Sequence, residues 1–279
     1  MKTWKKLVAA AGAAGLALSL AACGGSSAGG DNKLVVGASP SPHAQILRYV
    51  ADNLAEKQGI QLEVKEYTDY IQPNEALNSG DLDANYFQTV PYFDEVTAKN
   101  KWQFEHGEGI HLEPLGIYSE KIKDIKDVKD GAKIGIINDT TNQARALKLL
   151  ADNGLIKLPK DEKQQLVSVI AKSKEYNPHG FELSEVEGPQ LVRSLADLDI
   201  AVINGNYALG GGKKPSDALI LESTENNPSL NILAWKKDSE KTEAIKKLDT
   251  LLHSPEVKAF IEKTWPDKSV LPEIGRAHV

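Results

Sequence analysis

The chain has 279 residues, of which 41% are hydrophobic and 26% charged, and its formal net charge is -6. These proportions exclude a wholly disordered or collagen-like chain, and the acidity argues against the basic stripe a nucleic-acid partner requires. Cys23 is the sole cysteine, which excludes an internal disulfide and a multi-cysteine metal site.

The first elements are an address. Lys2, Lys5 and Lys6 precede an apolar run from Leu7 to Leu20, too short for a membrane-spanning helix. Residues 1–22 therefore read as a secretory signal peptide. Leu20-Ala21-Ala22-Cys23 resembles the bacterial lipobox, in which the cysteine is lipidated and becomes the first mature residue; the plainer alternative is an ordinary thiol. Residues 23–32, rich in Gly and Ser, read as the lipidated cysteine and a flexible tether. Loss of residues 1–22 removes three lysines and no acids, taking the net charge to -9. Such a body is not held to anionic lipid by its charge, so the lipid is expected to anchor it, on the extracytoplasmic face.

The body alternates strands and helices. Leu34–Ala38 has the apolar run of a buried parallel strand. Ser41-Pro42 predicts a helix start, Ile46, Leu47, Val50 and Leu54 keep helical spacing, and Gly59 ends it. A strand is predicted over Gln61–Tyr67, a helix over Asn74–Asn78, a strand over Ala84–Phe87 and a helix over Pro91–Lys99. The pattern restarts with strand Ile134–Ile137 and a helix capped by Asp139-Thr140-Thr141. Strands are predicted at Leu166–Ala171, Phe181–Glu187, Ile200–Ile203, Ala218–Leu221 and Leu230–Trp235. Helices are predicted at Pro189–Leu195, Glu243–Leu252 and Pro255–Lys263. Two rounds of alternation predict two α/β lobes on mainly parallel sheets. The chain is expected to cross near Pro114–Tyr118 and again near Asn231–Lys236.

Catalytic signatures fail on inspection. Gly107-Glu108-Gly109 lacks the third glycine of a dinucleotide loop, and Gly210-Gly211-Gly212-Lys213-Lys214 has the wrong spacing for a phosphate loop. The one Gly-x-Ser-x-Gly spacing, Gly25–Gly29, falls in the Gly/Ser stretch after Cys23 and not at a strand-to-helix elbow, and no His-Glu-x-x-His pair or calcium loop occurs. Glu185 and Glu187 read as the solvated face of a strand. No enzymatic activity, metal or cofactor is expected.

Binding features are present. In open α/β sheets, ligands sit beyond the carboxyl ends of the strands. Asn138–Arg145 is such an elbow, where free backbone N–H groups attract an anion. Arg145 could add a bidentate fork for a carboxylate; the alternative is that it pairs with a nearby acid. Asn204 ends strand Ile200–Ile203 and could donate and accept, or simply form a turn. Tyr70, Tyr86, Phe87, Tyr92 and Phe93 form an aromatic cluster, readable as core or as the wall of a small-molecule site.

Asp69–Leu77, Gly80–Gln88, Pro91-Tyr92, His111–Ser119, Asn138–Arg145 and Ala201–Asn204 resemble, in order, the substrate-binding lipoproteins of methionine uptake ABC transporters, the NlpA/MetQ family. The likeness spans roughly residues 33–265. It implies a two-lobed, type II-like periplasmic-binding-protein fold with the ligand in the inter-lobe cleft. Lobe 1 would comprise residues 33–114 plus 232–273, and lobe 2 residues 115–231. It implies that Arg145 and Asn142 hold the carboxylate of a free amino acid, Asn204 binds its backbone, and Tyr70, Phe87 and Tyr92 wall a thioether pocket. Glu113 is a candidate for the ammonium. Thr89 stands where many members have histidine, and Thr140 where some have proline. The first departure leaves another apolar amino acid or a methionyl dipeptide open beside L-methionine. The implied partners are an ABC permease and its ATPase, with the receptor a monomer.

The rival readings are a secreted enzyme or a surface adhesin on the same fold. Ile274–Val279 can be encoded by ATC-GGA-AGA-GCA-CAC-GTC, a stretch of common sequencing adapters, so residues 274–279 are expected to be a non-native tail.

Overall fold

A computed structural model describes residues 32–273. The signal segment, Cys23, most of the tether and the adapter-like tail lie outside the described residues. In chain order, β1 (Lys33–Ala38), α1 (His43–Val50), β2 (Gln61–Glu66), α2 (Gln72–Ser79), β3 (Ala84–Thr89), α3 (Val90–Asn100), β4 (Phe104–His106) and β5 (His111–Leu112) come first. Next are β6 (Gly116–Tyr118), β7 (Lys133–Ile137), α4 (Thr140–Asp152), α5 (Val167–Ile170), β8 (Glu182–Val186), α6 (Leu191–Ser194), β9 (Ile200–Ile203), α7 (Gly205–Gly210) and β10 (Ala218–Leu221). The chain closes with β11 (Leu230–Lys236), α8 (Thr242–Leu252), α9 (Pro255–Thr264) and β12 (Leu271–Pro272).

The strands form two sheets. The first has the order β12-β5-β11-β3-β1-β2, with β4 also on β11; the second has the order β10-β6-β9-β7-β8. β1 runs parallel to β2 and β3, and β7 runs parallel to β8 and β9. The sheets are not mainly parallel as expected, because in each the strand that follows a crossing runs the other way: β6 is antiparallel to β9 and β10, and β11 to β3, β4 and β5. The carboxyl ends of β3 and β9 thus open beside the crossings.

The first core gathers Leu34 and Val36 of β1, Ile46, Leu47 and Val50 of α1, Ile245 and Leu248 of α8, and Val257 and Ile261 of α9, so the last helices pack with the first sheet. The second sheet is covered on both faces, by Leu147 and Leu150 of α4 on one side and Leu191 and Leu195 near α6 on the other. Such double coverage is why its inner strands β6 and β9 are buried throughout, whereas the edge strand β8 keeps Glu182, Ser184 and Glu185 exposed.

Several expectations shift. The segment Leu166–Ala171 is not a strand: Val167–Ile170 makes a helical turn whose first N–H donates to Gln143 Oε1 at 2.9 Å. Ser41 does not cap α1; Pro42 holds that position after a cis peptide. The return crossing lies at residues 222–229, ahead of the expected position, because Leu230 and Asn231 already pair with β5. Gly59 does end the first helical stretch, in the left-handed conformation at φ +69°. Among the described residues no helix is long and apolar enough to cross a membrane.

Candidate functional site

One cleft lies between the lobes, with a volume of about 340 Å³ counted out to the solvent at its mouth. All eight residues singled out in the sequence line it: Tyr70, Phe87, Thr89, Tyr92, Glu113, Asn142, Arg145 and Asn204. Gln88, Gly205, Asn206 and Asn231 line it as well.

The first lobe supplies the aromatic side. Side chains alternate across a strand, so Phe87 of β3 faces the cavity while Tyr86 turns into the core. Phe93 likewise packs behind, against Ile232 and Ala234. Tyr70, Phe87 and Tyr92 meet one another with centroids 5.8–6.2 Å apart, and the Tyr92 hydroxyl donates to the Tyr70 carbonyl oxygen at 2.8 Å. Burial raises the Tyr70 and Tyr92 hydroxyls above their ordinary range, so both stay neutral donors. Thr89 is half-buried at the end of β3 and starts α3 without a side-chain capping bond. Behind it, Gln88, Asn74 and Asn85 form a buried amide network at 2.8–3.0 Å.

The second lobe supplies the polar side. Asp139 caps α4 by accepting from the Asn142 N–H at 2.8 Å and from Asn142 Nδ2 at 3.0 Å. Asn142 Oδ1 in turn accepts from Asn204 Nδ2 at 2.7 Å. That leaves Asn204 Oδ1 buried without a partner among the described residues. An unsatisfied buried acceptor costs roughly 1–3 kcal/mol, which a ligand donor would recover. Burial lifts the Asp139 carboxyl to about 6, against the pull of the Asn142 hydrogen bonds.

Arg145 follows the alternative the sequence left open: it pairs with an acid. Nε donates to Glu222 Oε1 at 2.8 Å and Nη2 to Glu222 Oε2 at 2.5 Å. Nη2 also donates to the Glu113 carbonyl oxygen at 3.1 Å. The fork is thus taken by the protein, yet Arg145 still faces the cavity.

Glu113 is buried in the first crossing. Its Oε1 lies 2.8 Å from His111 Nε2 and 3.4 Å from His43 Nε2, and His43 Nε2 is 2.9 Å from Asn231 Oδ1. The Tyr86 hydroxyl bonds the far nitrogen, His111 Nδ1. Burial raises the Glu113 carboxyl to about 7, with His43 and Arg145 pulling it down, and lowers His43 to about 4 and His111 to about 3. Near neutrality both imidazoles are uncharged, and Glu113 is the group that titrates. His43, His111 and Glu113 offer donor atoms within 4.8 Å of one another, close enough to surround one cation. In this arrangement those atoms hydrogen-bond each other and Asn231 instead.

The sequence passed over Asn231, Asn206, Gln88 and Glu222. Asn231 carried a signal: it is the polar residue in the otherwise apolar start of strand Leu230–Trp235. It pairs in the sheet with Thr89 on one side and His111 on the other. Glu222 carried none, standing at the head of a polar stretch that reads as solvated loop.

Residues 34–274 match the family model described as NlpA lipoprotein. The chain is 39% identical over 260 residues to the methionine-binding lipoprotein MetQ of Bacillus subtilis, covering 91% of this chain and 93% of that protein. A nutrient binding protein from Burkholderia cenocepacia, solved bound to methionine, is 38% identical with a TM-score of 0.80, over 86% of this chain and 99% of that one. An ABC transporter periplasmic substrate-binding protein from Coxiella burnetii is 34% identical with a TM-score of 0.79, over 86% and 100%. On these matches, which run nearly end to end, the chain belongs to the NlpA lipoprotein family and has its two-lobed binding-protein fold.

Proposed function

We propose that this protein is a solute receptor that binds a free amino acid, L-methionine first, between its lobes and delivers it to the permease of an ABC importer. An ATPase on the far side of the membrane then powers uptake. The lipid on Cys23 holds the receptor at the extracytoplasmic membrane face, as a monomer. One observation carries the ligand class. The cationic Arg145 and the acidic Glu113 line the same cavity and their charges interact, while the guanidinium also donates to the Glu113 backbone carbonyl oxygen at 3.1 Å. Adjacent opposite charges suit a ligand whose ammonium and carboxylate sit on one carbon.

In this reading the carboxylate meets Arg145 and Asn142. The ammonium meets Glu113, Asn231 and the free Asn204 Oδ1. The thioether lies on Tyr70, Phe87 and Tyr92, where sulfur–aromatic contacts favour it. The names carried by the relatives favour a receptor over a secreted enzyme or adhesin.

The test is thermal unfolding of protein refolded from denaturant, so that no carried-over ligand remains, against free amino acids and methionyl dipeptides. Ligand at 1,000 times its dissociation constant should stabilise by about 4.1 kcal/mol. Arg145→Ala should weaken binding by about 2–5 kcal/mol. A folded, stripped protein that responds to none of these compounds overturns the receptor reading. A response to a different amino acid moves the ligand and keeps the role.

A further inference from the structure

Glu222 does not line the cavity, yet it holds the residue that does. An arginine carries five N–H donors. Three are taken by the protein: Nε and Nη2 by the two oxygens of Glu222, and Nη2 again by the Glu113 carbonyl oxygen. Among the described residues the Nη1 pair has no partner, and Arg145 lines the cavity.

Glu222 is itself fixed from the other side. Its backbone N–H donates to the Leu115 carbonyl oxygen at 2.8 Å, and its Oε2 accepts from the Leu115 N–H at 3.2 Å. Leu115 belongs to the first crossing between the sheets and Glu222 opens the second. Five hydrogen bonds therefore close a ring through Glu113, Arg145, Glu222 and Leu115. Both charged side chains are mostly out of water, at 13% and 16% exposure, where a two-pronged guanidinium–carboxylate contact fixes the plane of each group.

We propose that Glu222 is a positioning residue for the carboxylate of the bound amino acid. It clamps Arg145 against both crossings and keeps the Nη1 edge turned into the cleft. The inference rests on the reading that Arg145 meets a ligand carboxylate. A competing role, in which Glu222 occupies the ligand's place and must be displaced, conflicts with the geometry. Glu222 grips the guanidinium from outside the cavity and is stitched to Leu115. The clamp also joins the ligand to the segments that must bend when the lobes move.

The experiment compares L-methionine with L-methioninamide, which keeps the side chain and ammonium but replaces the carboxylate by a neutral amide. Dissociation constants are measured by calorimetry on the stripped full chain and on its Glu222→Gln variant. The wild type should prefer methionine by at least about tenfold, and Glu222→Gln should weaken methionine by about tenfold while leaving methioninamide unchanged. An equal loss for both ligands makes Glu222 merely structural and overturns the proposal. Unchanged or tighter methionine binding overturns it as well, the latter in favour of competition. If the wild type does not distinguish the two ligands, the Arg145 reading fails first and takes this inference with it. Should Glu222→Gln fail to fold, Glu222→Asp keeps the charge but is one methylene too short to reach Arg145 from the same backbone position, and the same selective loss is expected.

Discussion

Tyr70 and Asn206 join the lobes by one hydrogen bond, the Tyr70 hydroxyl donating to Asn206 Oδ1 at 2.5 Å. The Tyr70 ring also stacks on Tyr207, with centroids 4.8 Å apart and planes at 27°. Tyr70 is thus both a wall of the cavity and part of its closure. Tyr70→Phe removes the bond and keeps the ring. A neutral hydrogen bond contributes about 0.5–1.5 kcal/mol, so ligand affinity should fall roughly two- to tenfold. The loss should appear as faster dissociation in stopped-flow release, since the bond matters only when the lobes are closed. An unchanged off-rate would remove Tyr70 from the latch.

Glu113 sets a pH dependence whose sign can be worked out. Burial raises its carboxyl to about 7, while His43 and His111 remain neutral down to about 4 and 3. A ligand ammonium needs the ionised form and lowers that pKa on binding. Affinity should therefore rise with pH, by up to about tenfold per unit below 7, and level off above it. Binding at pH 6 should release a proton, visible as different calorimetric heats in buffers of different ionisation enthalpy. Stability runs the other way. The folded pKa lies above the unfolded one, so ionisation of Glu113 costs stability progressively as pH rises from about 4.5 through 7. Glu113→Gln should bind weakly and without this pH dependence, yet unfold later than wild type at pH 8, by an amount on the order of 2 kcal/mol. Parallel loss of binding and stability at pH 8 would contradict this account.

What the sequence made legible was local. The cap at Asp139 is read from one acid ahead of a periodic helix, and the structure shows it accepting from Asn142. The apolar runs at Leu34 and Ile200 needed no partner to be recognised as buried strands. The illegible features depend on distant partners. Val167 begins a helical turn because its N–H finds Gln143, a residue of α4. A short apolar run fits strand or helix equally until such a partner is known. Glu185 and Glu187, read as the solvated face of a strand, are indeed exposed; what the sequence did not announce is that they also accept from Gln143 Nε2 and Asn138 Nδ2 at 2.7 Å each. The site residues were found through Tyr70, Arg145 and Asn204, whose motifs are compact. Glu222 and Asn231 reach the same place only through the return crossing, which no local pattern announces.

Asp139 shows how a cap becomes part of a binding site. It holds the Asn142 N–H and amide, and Asn142 holds Asn204. Asp139→Asn retains an accepting oxygen and should change stability and affinity little. Asp139→Ala should cost about 0.5–2 kcal/mol of stability and should also weaken the ligand, because the Asn142–Asn204 pair loses its support. Thermal melts with and without ligand separate the two effects. Equal ligand-induced shifts in the Ala variant and wild type would show that the cap does not reach the site.

Gly205 brings the second lobe up against Glu113. A Cβ built there would lie 2.6 Å from Glu113 Cβ, 3.1 Å from its Oε2 and 3.4 Å from the Pro114 carbonyl oxygen. The first distance is closer than two carbons tolerate, and neither neighbour can yield easily. Glu113 is held by His111, and Pro114 lies in the crossing. Gly205→Ala should therefore leave each lobe folded but keep α7 from seating on the crossing, since the clash lies between lobes rather than inside a core. The expected result is a near-normal melting temperature without ligand and a loss of most ligand-induced stabilisation. Small-angle scattering should show a more open molecule that methionine no longer compacts. A variant that binds and compacts like wild type would mean that the lobes do not approach at Gly205 as closely as this geometry requires.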